Sequence, residues 1–84
     1  MRVLKEIVEP HFKATILHWN NKYLLKLETP MLEQTFKVSQ FDVTGDGDVE
    51  KLLTPAFIER TMRRFDEMGK DLDEALSALW FNKI

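Results

Sequence analysis

The sequence predicts a small α+β domain: a three-stranded antiparallel meander packed by two C-terminal helices, with residues 1–9 added as an N-terminal helix or a lead-in strand. Three observations lead there. Residues 11–28 hold two β-rich runs around Asn20-Asn21, residues that tolerate the positive φ of a two-residue hairpin turn. Residues 55–80 carry apolar side chains at helical spacing. A chain of 84 residues with 44% apolar content suits one domain, near the size at which a single core is self-sufficient.

At the N-terminus Val3, Leu4, Ile7 and Val8 share one helical stripe, which favours a helix. Pro10 directly after the segment keeps an extended strand open as the alternative. In the hairpin, a turn at Asn20-Asn21 sets His18 opposite Tyr23, Ile16 opposite Leu25 and Ala14 opposite Leu27 on one face. The other face then pairs Trp19 with Lys22, Leu17 with Leu24, Thr15 with Lys26 and Lys13 with Glu28. A slip of one residue would move every side chain to the wrong face, so this register is strongly specified.

Thr29-Pro30-Met31 is the next turn and Leu32 to Val43 the third strand, with Phe36 and Val38 on the core face. A two-residue turn at Pro30-Met31 also places Glu28 opposite Glu33, a like-charge pair that argues for a looser connection. Residues 44–48 read as a loop, with Asp48 capping a short turn from Val49 to Leu53. Thr54 as N-cap and Pro55 in the first turn start a helix with the stripe Phe57, Ile58, Thr61, Met62, Phe65 and Met68. Gly69 is expected to end it. Asp71, with Glu74 three residues on, then starts a last helix bearing Leu72, Ala75, Leu76, Leu79 and Trp80. No linker or repeat interrupts this order, so residues 1–84 read as one domain.

Composition removes several functions. Without Cys there are no disulfides, thiolate metal sites or cysteine nucleophiles. With 12 Lys and Arg against 14 Asp and Glu, the chain lacks the basic excess of a nucleic-acid or anionic-membrane binder. Charges break up the first residues, so no signal peptide is expected, and no run approaches a membrane span; a cytoplasmic location follows as the expectation. The only serines, Ser39 and Ser77, sit in no nucleophile-elbow pattern, and so short a chain leaves little material for a walled pocket. An enzyme is not expected, nor is a cofactor.

Three patterns remain. Asp42, Thr44, Asp46 and Asp48 with Gly47 resemble a calcium loop, since a hard cation wants several carboxylate oxygens around a sharp turn. Position twelve is Leu53 instead of the bidentate Glu, and a strand precedes the loop, so a polar connection is the plainer reading and weak calcium binding the alternative. Lys22, Arg60 and Arg64 could form a local basic strip for single-stranded nucleic acid. Arg63 is neutralised by Glu59 and Glu67 at i,i+4 spacing, and a solvated helix face again explains the rest. His11 and His18, seven residues apart, face opposite sides of a strand and cannot share a metal.

The third pattern is apolar. Leu17, Trp19 and Leu24 lie together on the outer sheet face, and the chain ends Leu79-Trp80-Phe81-Asn82-Lys83-Ile84. Either a terminal segment folds over that face or a second copy does. Leu17, Trp19, Leu24, Trp80 and Phe81 are therefore the expected contacts of a homodimer or a protein partner.

The run Leu17 to Glu28, followed by Leu32 to Val38 and Asp42 to Gly45, resembles a family of short uncharacterised bacterial proteins. The resemblance covers about residues 10–68 and implies a stand-alone bacterial cytoplasmic protein, with no activity or site residues to carry over.

Overall fold

Asn20 and Asn21 take φ angles of 50° and 62° and close a two-residue turn between β2 (Lys13–Trp19) and β3 (Lys22–Glu28). Asparagine enters this left-handed region at lower cost than most residues, because its short amide bonds locally to the backbone. The register is the expected one, with His18–Tyr23, Ile16–Leu25 and Ala14–Leu27 on one face and Trp19–Lys22 and Leu17–Leu24 on the other. Ala14, Ile16, Tyr23, Leu25 and Leu27 are buried. Burying each large side chain stabilises by roughly 1.5–3 kcal/mol, so the core enforces the register that the turn begins.

The structure, a computed structural model, describes residues 1–82; Lys83 and Ile84, the end of the apolar tail, lie outside the described residues. Residues Arg2–Val8 form a strand, β1, antiparallel to β2, and not a helix. Pro10 disfavours helical backbone at Glu9, and the Glu9 N–H donates to the Phe12 carbonyl at 2.9 Å to close the turn. A nine-residue helix is too short to hold itself, whereas the free edge of β2 offers a full ladder. A bulge between Val3 and Lys5 explains the helix-like spacing. It interrupts the alternation, so Leu4 and Ile7, three residues apart, both pack on the core.

β4 (Glu33–Ser39) completes the sheet, and Glu28 does stand opposite Glu33. The turn stays tight, with the Thr29 N–H donating to the Leu32 carbonyl at 2.9 Å. Repulsion is relieved because Glu33 turns to Lys26 Nζ at 3.5 Å and accepts from the Thr35 hydroxyl at 3.1 Å. The strand ends four residues earlier than expected. Ser39 Oγ accepts from the Phe41 N–H, and the chain enters a 3-10 turn over Gln40–Asp42.

α1 (Asp46–Glu50) places Val49 in the core. α2 (Pro55–Asn82) begins as expected, with Thr54 Oγ1 accepting from the Phe57 N–H at 3.2 Å. It does not stop at Gly69, so the two expected C-terminal helices are one. A glycine inside a helix costs only about 1 kcal/mol against alanine, and good helix formers flank it. Gly69 is also where α2 passes Leu32, 3.8 Å from the position a Cβ would occupy. Among the described residues the fold is thus a four-stranded antiparallel meander, β1-β2-β3-β4, with α1 and α2 on one face.

The lengths do not match. Seven-residue strands run about 23 Å, whereas the 28 residues of α2 run about 42 Å. The molecule is accordingly 55 Å long and 27 by 20 Å across, and every residue from Asp71 to Phe81 is exposed.

Candidate interaction surface

Among the described residues two apolar surfaces are left open. The first is the free half of α2. Ile58, Phe65, Leu72 and Leu79 recur every seven residues and lie in one phase along the helix. Phe65 and Thr61 are buried and Ile58 half-buried against the sheet. Past Gly69 the same stripe continues with no sheet beneath it, so Leu72 is 39% exposed, Leu76 46%, Leu79 51% and Trp80 71%. Phe81, at 83%, stands apart from this stripe. It follows Leu72 by nine residues, and at about 100° per residue that is the opposite side of the helix. Where the stripe leaves the sheet, a groove of about 490 Å³ opens, lined by His11, Phe12, Ile58, Met62, Phe65 and Asp66.

The second surface is the outer sheet face. Leu17 and Leu24 stand opposite one another there, beside Trp19, and with Met1 and Thr35 they line a hollow of about 260 Å³. α2 packs on the other face and β1 sits in the sheet plane, so among the described residues no terminal segment folds over it. Lys26 and Glu33 edge the hollow and pair at 3.5 Å. Lys22 lies 5.5 Å from the Trp19 ring centroid and covers part of that indole.

The acidic loop holds its own carboxylates. Asp48 accepts from both the backbone N–H and the hydroxyl of Thr44, with Lys51 at 3.4 Å. These bonds hold its carboxyl below the usual aspartate range, the Thr44 hydroxyl contributing most. Asp46 turns away and accepts from the Tyr23 hydroxyl at 2.6 Å, with Arg2 at 3.7 Å. That bond, more than burial, raises the Tyr23 phenol above its ordinary value. Asp42 is exposed in the 3-10 turn. Among the described residues no three His, Cys, Asp or Glu side chains come together to hold a metal. The loop's carboxylates instead fasten α1 to the sheet: Tyr23 to Asp46, and Lys5 Nζ to Glu50 at 2.7 Å.

His18 sits beside this latch, its ring 4.9 Å from that of Tyr23 and its Nε2 3.3 Å from Gln40 Oε1. His11 lies in the β1–β2 turn and is exposed. Arg60 and Arg64 line one shallow pocket with Arg63 and Glu67, but Lys22 is not brought to them. Lys22 is on the outer sheet face, whereas Arg60 and Arg64 are on α2 across the sheet. Arg64 donates to Gln34 Oε1 at 2.8 Å and to Thr61 Oγ1 at 3.2 Å, and lies over the Phe36 ring. Arg63 pairs with Glu59 at 2.9 Å, as its spacing implied.

Compared with protein-family models, with curated proteins and with solved structures, the chain matches none. No helix among the described residues is long and apolar enough to cross a membrane. Sequence reasoning missed Leu72 and Leu76 as surface residues, assigning them to a packed last helix. A signal was present: the seven-residue phase runs unbroken through Gly69, which marks one helix longer than a seven-residue strand can cover.

Proposed function

We propose that this protein is a non-catalytic interaction domain that self-associates through the free half of α2. The observation that carries the reading is the stripe of Leu72, Leu76, Leu79 and Trp80, continuous with the stripe that packs the same helix on its own sheet. A chain of this size rarely leaves so many large apolar side chains in one row without a protein surface to meet them. The open sheet face, with Leu17, Trp19 and Leu24, is the second candidate surface, suited to a protein partner.

Sedimentation equilibrium tests this. The whole chain is expected at twice its 9.9 kDa mass in the high micromolar range. A chain ending at Gly69 is expected to stay folded, because residues 71–81 are exposed throughout, and to run as a monomer. A whole chain that is monomeric at those concentrations overturns the proposal. Dissociation by Leu24→Lys but not by the truncation moves the contact to the sheet face.

A further inference from the structure

We infer that the occupant of the free α2 stripe is the same stripe of a second copy, running antiparallel, with its midpoint between Ala75 and Leu76. The inference rests on the self-association reading and adds orientation and register to it.

Four observations fix the pairing. First, the sheet ends where α2 passes Leu32 at Gly69, so among the described residues a partner helix has the stretch from Lys70 to Asn82 to lie along. An antiparallel partner of equal length fits that space when residue pairs sum to about 151, which sets Leu72 against the partner's Leu79 and Leu76 near its own symmetry mate. A twofold axis then makes both halves of the contact identical, the commonest closed arrangement.

Second, the charges are lopsided. Lys70, Asp71, Asp73 and Glu74 occupy the beginning of the overhang, and Ala75 to Asn82 carry no charge. Antiparallel pairing lays each acidic turn beside an uncharged one. Parallel pairing would stack Asp71, Asp73 and Glu74 on their own copies, which is unfavourable between adjacent helices.

Third, the ends match. The pairing sets the partner's Trp80 opposite Asp71, in the first turn beyond the sheet, about 9 Å along the axis from Phe65 at the near wall of the groove. Fourth, the surface is continuous. Leu72, Leu76, Leu79 and Trp80, 39–71% exposed, run on from the groove wall as one apolar patch of a few hundred Å², the size that marks an interaction surface. Phe81, on the back of the helix, takes no part.

The chain has no cysteine, so engineered thiols are its only ones. Ala75→Cys is expected to form a disulfide with its own copy under mild oxidation. Leu72→Cys and Leu79→Cys are expected to cross-link when mixed with each other and not alone, since like residues would be about 10 Å apart along the axis. In sedimentation, Leu76→Lys is expected to halve the mass and Phe81→Lys to leave it unchanged. Cross-linking of Leu72→Cys and of Leu79→Cys each with itself would overturn the antiparallel register while leaving self-association standing. A dimer that survives Leu76→Lys, or that Phe81→Lys dissolves, would overturn the stripe as the contact. A wild-type chain that is monomeric throughout would remove the self-association reading itself.

Discussion

The two halves of α2 use the same residue types in the same helical phase and meet opposite fates. From Pro55 to Gly69 the stripe closes the core: Phe65 is buried, the Phe36 and Phe57 rings meet at a tilt with centroids 5.2 Å apart, and Thr61 donates to the Phe57 carbonyl at 2.9 Å. From Leu72 to Trp80 the stripe has, among the described residues, nothing of its own chain beneath it. The residues from Lys70 to Asn82 alone would be marginal as a helix in water. Attached to an anchored half, they extend a helix that is already nucleated. An amphipathic pattern therefore specifies a stripe, and the reach of the sheet decides how much of that stripe is core.

The sharpest way to break the comparison is to shorten an aromatic residue in each half. Phe65→Ala is expected to cost about 3–5 kcal/mol in urea unfolding, because it leaves a cavity where nothing can collapse fully. Trp80→Ala is expected to change the stability of the dilute monomer by less than about 0.5 kcal/mol, as an exposed substitution does. Similar losses at both positions would mean that the free half packs on its own domain.

The junction is a finer probe. Gly69→Ala is expected to stabilise the monomer by about 0.5–1 kcal/mol through helix propensity, since a Cβ there would meet Leu32 at an ordinary contact distance of 3.8 Å. A loss of stability of that size would show that the sheet requires a bare backbone at the crossing.

The smallest expected effects come from the latch of α1, far from the free half. Tyr23 has its pKa raised by the bond to Asp46, so the folded state holds the phenolic proton more tightly than the unfolded chain. Its contribution is complete below about pH 10 and is lost as pH rises beyond that. Asp48 is lowered by Thr44, so its contribution is complete above about pH 4 and is lost as pH falls below the ordinary aspartate value. Urea midpoints are expected to decline at both ends, with Tyr23→Phe flattening the alkaline decline and Asp48→Asn the acid one. An unchanged alkaline decline in Tyr23→Phe would dissolve the latch. Truncation after Gly69 is expected to leave both declines in place, because no residue of the latch lies in the free half.

Alternation made the central hairpin legible residue by residue. In β2 and β3 one face is buried, so period-two spacing and a turn of two asparagines admit a single register. The same rule left β1 open between helix and strand, because the bulge at Val3–Lys5 breaks the alternation and leaves Leu4 and Ile7 at helical spacing. Gly69 was misread for a related reason. Glycine after an apolar helical run is the usual stop signal, but the backbone there continues as helix past the sheet edge. The apolar ending at Leu79 and Trp80 was visible in the sequence as a surface in need of cover. That Leu72 and Leu76 belong to the same surface was signalled only by the seven-residue phase running through Gly69, and where the surface begins depends on where the sheet ends.

By itself the sequence determined the meander of β2, β3 and β4, the cap at Thr54 and the apolar phase of the 28 residues of α2, because each follows from local backbone preference or from one-face burial. Only the tertiary structure decided that residues 2–8 join the sheet, that Asp46 ties α1 to Tyr23 while Asp48 turns back to Thr44, and that α2 outruns its support. Those outcomes depend on what lies across space: a free strand edge at β2, a tyrosine on the neighbouring face, and a sheet about half as long as the helix laid upon it.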